Sequence, residues 1–218
     1  MILAIIPALN EADSIESVVL AVKNCVDEVV VVDDGSSDET ANIARSAGAT
    51  VLVHDLNRGQ GAALQTGHDY AREVGADFVL HFDADGQFDA HEIAPALQAL
   101  NDAKADVLFG SRFLNKKGDM PFTKRYIIFP ISKCINFLFG TPNMTDVHNG
   151  FRILNKKAFH SISIEQDRMA HATEIPALVK KHGLQYIEFP VTVRYFEYGQ
   201  NVKGGFHILK DLIFGKFV

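Results

Sequence analysis

Val29-Val30-Val31-Val32-Asp33-Asp34-Gly35-Ser36-Ser37-Asp38 is the stretch that decides the fold. Four consecutive β-branched residues leave no polar face, so they read as a strand covered on both sides, the habit of a parallel sheet. The run then breaks into two carboxylates, a glycine and small hydroxyl residues, the composition of a turn. In open α/β sheets, ligands gather outside the carboxyl ends of the strands. Asp33 and Asp34 therefore stand where a bound base or ribose could be hydrogen-bonded. Ser36, Ser37 or Asp38 can equally cap the helix that follows. The two roles are compatible.

Outward from this stretch, apolar runs alternate with helical patterns. Strands are expected at Leu3–Pro7, Val51–His54, Phe78–Phe82 and Val107–Gly110, with helices at Ser14–Lys23, Ser37–Ala47, Gly59–Glu73 and Asp89–Leu100. Such alternation predicts an α/β fold with a mainly parallel central sheet flanked by helices. Beyond Ser111 the character changes. Arg112, Lys116, Lys117, Lys124 and Arg125 face one acid, Asp119, within fourteen residues, a local charge of about +4 in a chain of net charge −6. An apolar stretch from Tyr126 to Phe139 follows, broken by Pro130 and Lys133. A second strand–helix–strand passage is expected around Gly150–Leu154, Thr173–His182 and Tyr186–Val193, and an amphipathic helix from Gly204 to Val218.

The bulk numbers set limits. With 218 residues and 47% hydrophobic content, the chain can build one packed domain. Its acidic balance argues against nucleic acid as a partner. Cys25 and Cys134 form neither a disulfide framework nor a zinc spacing, so a reduced, intracellular setting is expected. The nine histidines make no metal-ligand pattern, and His81, His148 and His171 read as core or surface residues. The start, Met1 to Pro7, lacks the basic residues of a signal peptide and reads as a buried strand. No run reaches the ~20 apolar residues of a membrane-spanning helix.

Three further segments carry chemistry. Asp83-Ala84-Asp85-Gly86-Gln87 follows a strand, and two carboxylates at i and i+2 of an extended chain share a face. They repel unless a cation lies between them. Hard divalent cations take carboxylate and amide oxygens, so Asp83, Asp85 and the Gln87 amide form a candidate site for Mg²⁺ or Mn²⁺ carrying a diphosphate. A solvated Asp-Gly turn is the plainer alternative. Asn57-Arg58-Gly59-Gln60-Gly61-Ala62-Ala63 opens a helix with small residues, suited to an anion at a helix N-terminus or to tight helix–sheet packing. Pro7-Ala8-Leu9-Asn10-Glu11 ends the first strand, with Asn10 as a possible helix N-cap and Glu11 as a first-turn acid.

Taken in order, these segments resemble the family 2 glycosyltransferases, in particular the catalytic domain of polyprenyl- or dolichyl-phosphate mannose or glucose synthases. Gly110-Ser111-Arg112-Phe113 and Gly150-Phe151-Arg152 complete the set, which spans residues 7 to about 152. The resemblance implies a nucleotide-sugar-binding fold of the GT-A type and a hexose transferred with inversion from a UDP- or GDP-linked donor. Pro7, Ala8, Asn10, Glu11 and Asp34 would contact the nucleoside, and Asp83, Ala84 and Asp85 would form the metal-binding motif. Arg112 would touch phosphate or acceptor. The whole chain, 1–218, would be one domain with a nucleotide-sugar half, 1–111, and an acceptor half, 112–218. Departures fall in the second half. Asn149 and Asn201 stand where this branch carries serines, and the sequence ends without the transmembrane tail of many relatives.

Asp146 and Glu174 are the candidate bases for a hydroxyl acceptor, whereas a lipid phosphate needs little help. The basic cluster, with Arg125 near the acceptor phosphate, and the C-terminal apolar residues have the make-up of interfacial helices on the inner face of the cell membrane. They could instead pack on each other or across a homodimer. Three other readings compete: a haloacid-dehalogenase-type phosphohydrolase, a phosphoacceptor receiver domain, and a non-catalytic nucleotide-sugar-binding module.

Overall fold

The computed structural model describes residues 1–114 and 144–194. Expectations placed on Lys116, Lys117, Lys124, Arg125, residues 126–139, Asn201 and residues 204–218 lie outside the described residues. In chain order the elements are β1 (Ile2–Ala8), α1 (Ile15–Lys23), β2 (Glu28–Asp33), α2 (Thr40–Ser46), β3 (Thr50–Val53), α3 (Gln60–Glu73) and β4 (Phe78–His81). A 3₁₀ turn (Ala90–Glu92) leads into α4 (Ile93–Asp102), then β5 (Val107–Ser111). After the undescribed segment come β6 (Arg152–Asn155), α5 (Lys156–Ser161), α6 (His171–Lys181) and β7 (Tyr186–Pro190).

The seven strands form one sheet in the order β3-β2-β1-β4-β6-β5-β7. Every pairing is parallel except those of β6, which runs against both β4 and β5. That reversal is what the strand pattern alone does not give. Its consequence is positional: the first residue of β6, Arg152, pairs with His81 near the carboxyl end of β4 and with Phe109 of β5. The chain leading into β6 is thereby brought to the ligand-binding edge. Because β6 lies between β4 and β5, described strands from before and after residue 111 share a single sheet.

Alternate residues of each strand face opposite layers, as the period of two requires. Ala4, Ile6, Val29 and Val31 pack with Val18, Val19 and Val22 of α1 and Ile93, Ala96 and Leu100 of α4. Leu3, Ile5, Val30 and Val32 pack on the other side with α3, α5 and α6, through Leu64, Phe159, Ile175 and Val179. Each such side chain contributes about 1.5–3 kcal/mol by leaving water. α3 lies close to the sheet because Gly67 faces Ile5, where a Cβ would come within 2.4 Å of Cγ2. The short helix α5 was not anticipated; Asn155 begins it by accepting the Ala158 N–H at 2.9 Å.

Candidate active site

The turns after β1, β2 and β4 surround an open cleft of about 380 Å³. Its walls include Pro7, Ala8, Glu11, Asp34, Asp83, Ala84 and Asp85, so residues far apart in sequence meet at the carboxyl edge of the sheet. Gly59, Gln60 and Met169 complete the side nearest α3.

Asp34 is buried and fully engaged. Its carboxylate accepts the N–H groups of Arg58 at 2.9 Å and Gly59 at 2.6 Å, and lies 2.7 Å from Nδ1 of His54. His54 is held in turn by Thr66, at 2.9 Å from Nε2. Asp34 thus fixes the loop that delivers Gly59 to the cleft, where a φ of +109° and a carbonyl 2.4 Å from any added Cβ admit only glycine. Asp34→Asn would set an amide N–H against one of these donors. It is expected to cost about 1–3 kcal/mol, read as a lowered thermal midpoint together with weakened nucleotide binding.

Asn10 does not cap α1, whose N-cap is Ser14. With φ at +55°, Asn10 turns its side chain across to the neighbouring loop, where Oδ1 accepts the Ser37 N–H at 2.8 Å. Its own N–H donates to Ser36 Oγ at 2.9 Å, and Ser36 Oγ is bonded to Asp33. Asp33 and Asn10 therefore lock the β1 and β2 turns together. Asp38 bonds the Thr40 N–H at 3.0 Å, one residue outside the Glu39 N-cap of α2. Glu11 accepts the Ser14 hydroxyl at 2.8 Å and remains part of the cleft wall.

Asp83, Ala84 and Asp85 are not an extension of the strand. β4 stops at His81, and Ala84 and Asp85 lie in a turn that Gly86 completes at φ +72°. The strand argument for their shared face is corrected accordingly: the turn, not the pleat, brings the carboxylates together. Burial, followed by the charge of Asp85, pushes Asp83 up to about 6, against the pull of Arg152, Gln60 and Arg112. Burial also raises Asp85, opposed by the Gln87 N–H that it accepts at 3.0 Å. Gln60 Nε2 donates to Asp83 at 3.0 Å. Gln87 is anchored through its backbone, its carbonyl accepting the Arg194 N–H at 2.9 Å.

Among the described residues, no three His, Cys, Asp or Glu side chains converge into a metal cage. Two neighbouring carboxylates at a cleft wall do suit an ion that completes its shell with water and substrate phosphate, the usual manner of Mg²⁺. The donor set fits such an ion and does not fit zinc.

The second half supplies a clasp. Arg112 grips the buried Asp146 with two side-chain bonds, Nε to Oδ2 at 2.7 Å and a terminal nitrogen to Oδ1 at 2.8 Å, and adds its backbone N–H at 3.1 Å. Burial acts to raise Asp146, but these bonds and the Arg112 charge hold it below the usual carboxylate range. Beside it, Ser111 Oγ meets Thr145 Oγ1 at 2.6 Å, and Thr145 is bonded to Glu188 at 2.7 Å. Glu174, the other expected base, accepts the N–H groups of Glu165 and Gln166 at 3.1 and 3.0 Å. It holds the loop packed on α3, where the Asp167 carbonyl accepts the Ala62 N–H at 3.1 Å. Both acids therefore carry bonds within the fold.

Two residues of the Gly150-Phe151-Arg152 segment, to which the sequence assigned no role, stand beside the site. Gly150 lies directly under Asp83: a Cβ there would stand 2.1 Å from Oδ2 and 2.7 Å from Cγ. Arg152, 1% exposed, opens β6 with its Nε lacking a hydrogen-bond partner among the described residues. An arginine inside Phe151–Leu154, an otherwise apolar run, was the available signal. His81 and His171 prove to be buried, as does His68, which meets His81 through Nε2 atoms 2.7 Å apart. Burial lowers His68 to about 3 and His171 to about 4, and depresses His81 as well, so all three are neutral.

Fold and site together define a sugar-nucleotide enzyme of the GT-A type. The chain belongs to glycosyl transferase family 2, whose model matches residues 3–163. It is 33% identical, over 98% of its length and 95% of the relative's, to a UDP-N-acetylglucosamine–dolichyl-phosphate N-acetylglucosaminyltransferase of Methanococcus voltae. It is 28% identical to an undecaprenyl-phosphate mannosyltransferase of Micrococcus luteus, over 94% of this chain and 88% of that one. Its fold is shared with glucosyl-3-phosphoglycerate synthase from Mycobacterium tuberculosis, solved in complex with Mn²⁺ and UDP-glucose. That likeness has a TM-score of 0.74 at 17% identity, covering 98% of this chain and 76% of the other. The phosphohydrolase and receiver-domain readings have no place in this family.

Proposed function

We propose that the chain is an inverting, metal-dependent hexosyltransferase. It moves a hexose from a UDP- or GDP-linked donor to a polyprenyl phosphate or another lipid-linked acceptor. The observation that carries this reading is the meeting of Asp83 and Asp85 with Pro7, Ala8, Glu11 and Asp34 in one cleft. Relatives named for dolichyl-phosphate and undecaprenyl-phosphate acceptors support the acceptor class.

In this reading Asp83 and Asp85, with Gln87 as a further oxygen donor, hold Mg²⁺ or Mn²⁺. The ion would offset the negative charge that grows on the departing nucleoside diphosphate. Pro7, Ala8, Glu11 and Asp34 shape the nucleoside end of the cleft, and Asn10 acts through the turn it fastens. Asp146 and Glu174 both carry bonds within the fold, which favours an acceptor that needs no base. A phosphate monoester has a second pKa of ~6 and is already ionised at neutral pH. The clasp of Arg112 and Asp146 serves to hold the acceptor segment, and Arg125 is assigned to the acceptor phosphate.

Two measurements test the reading. A panel of UDP- and GDP-sugars with Mn²⁺ should raise the thermal midpoint for the true donor, because a ligand in excess stabilises the folded state. Below pH ~6 the proton on Asp83 competes with the metal, so the shift should be large at pH 7.5 and shrink towards pH 5. Labelled hexose should then appear in the polyprenyl-phosphate fraction. Transfer only to water-soluble acceptors would refute the acceptor class.

The membrane part of the proposal rests on composition. No helix among the described residues is long and apolar enough to cross a membrane. The basic residues Lys116, Lys117 and Lys124 and the apolar stretch after them suit a surface of anionic lipid. Sedimentation with anionic vesicles is expected at low salt and should weaken on charge reversal of those three lysines. Protein left in the supernatant at low salt would favour a soluble acceptor.

A further inference from the structure

Arg152 is the buried charge that the reading above leaves without a task. An unpaired cation withdrawn from water costs several kcal/mol. The imidazoles near it, His81 and His171, carry no negative charge in either protonation state and supply no counter-charge. The carboxylates that act on it are Asp83 and Asp146. Asp146 is already held by Arg112 through two side-chain bonds. Among the described residues, Asp83 is therefore the counter-ion left for Arg152. Its carboxylate rests on Gly150, two residues before Arg152 on the same approach to β6, while His81, two residues before Asp83, pairs with Arg152 across the strands.

A metal ion on Asp83 and the guanidinium of Arg152 thus draw on the same negative charge. We propose that Arg152 is a positioning residue that makes metal and diphosphate bind as a pair. Its charge opposes a bare divalent cation at Asp83 and, with Asp83 engaged by that cation, is balanced by the diphosphate. The inference rests on the assignment of Asp83 and Asp85 as metal ligands. It goes beyond that assignment by fixing the sign of the effect. Loss of Arg152 should tighten the metal alone and weaken the link between metal and nucleotide. By reciprocity the same factor applies to nucleotide affinity with and without metal.

The test measures Mn²⁺ binding by the paramagnetic signal of the free ion at pH 8, with and without saturating UDP or GDP. Wild-type protein should bind Mn²⁺ at least about tenfold more tightly with the nucleoside diphosphate that fits. In Arg152→Met, nucleotide-free Mn²⁺ binding should tighten about tenfold, as expected when a like charge leaves a low-dielectric site, and the coupling should shrink by a similar factor. Arg152→Lys, which keeps the charge, should keep most of the coupling. Weaker Mn²⁺ binding in Arg152→Met under both conditions would mean that Arg152 only props Asp83 in place, and would overturn the proposal. Should Arg152→Met not fold, the lysine variant decides: loss of coupling there overturns it. Equal Mn²⁺ affinity with and without nucleotide in wild type overturns it without any variant. Wild-type protein that binds no Mn²⁺ even with UDP or GDP refutes the metal assignment itself.

Discussion

Asp85→Ala is expected to lower hexose transfer by about a thousandfold or more while leaving the protein folded. The size follows from removing half of the carboxylate pair that would hold the charge-neutralising ion during bond cleavage. The fold should survive because Asp85 is only partly buried and its carboxylate accepts a single backbone N–H, from Gln87. Its loss also removes a charge that raises Asp83, which should return towards the ordinary carboxylate range. Circular dichroism and a thermal midpoint near that of the wild type would establish the fold. A transfer assay and Mn²⁺-dependent nucleotide binding would establish the defect. Full activity of Asp85→Ala in the presence of chelator would remove the metal from the mechanism altogether.

Gly150→Ala should cost about a hundredfold in transfer, a large effect for one methyl group. The added carbon would stand 2.1 Å from Asp83 Oδ2 and 2.7 Å from both Cγ and Oδ1, so the carboxylate must move. A displacement of about 1 Å at a reacting centre is worth roughly that factor. Gly150 does not occupy the left-handed region, so alanine brings no backbone strain of its own. The effect should therefore fall on metal-dependent steps more than on stability. A double-mutant cycle isolates the cause. In an Asp83→Ala background the Gly150 substitution should be nearly silent, because the group it displaces is gone. An equal loss in both backgrounds would place the damage elsewhere in the segment before β6.

Much of this arrangement was legible in the sequence because its carriers are local. The valine run of β2 and the turn after it announce a strand end, and the alternation of the first 111 residues announces the layers. Pro7, Ala8, Glu11, Asp34, Asp83, Ala84 and Asp85 could all be placed at one edge because each ends or follows a strand that pairs in parallel with β1 or β2. What escaped depends on a long-range pairing. The reversed direction of β6 cannot be read from its four residues, yet it alone puts Gly150 beneath Asp83 and Arg152 beside His81. The same holds for Asp34 and Asp146. Both looked available as free acids, but their partners, the backbone of residues 58 and 59 and the guanidinium of Arg112, arrive from other parts of the chain. Asn10 shows the limit of a capping rule: its side chain bonds across to Ser37 instead of to the helix after it.

The reversed strand also sets a schedule for synthesis. β1 to β4 can pair as soon as they leave the ribosome, but the free side of β4 must wait for β6, roughly 70 residues later. At about 5–20 residues per second that interval is on the order of several seconds. During it an apolar strand edge stays uncovered, the kind that invites pairing with a foreign strand. The residues that close this edge are continuous with those that complete the site, since Gly150 and Arg152 come with β6 itself. A nascent chain halted before residue 150 therefore carries both carboxylates of the motif but neither the seat nor the buried cation that set their behaviour. On the proposed assignment, closing the sheet and completing the site would be one event, set by the order in which the strands emerge.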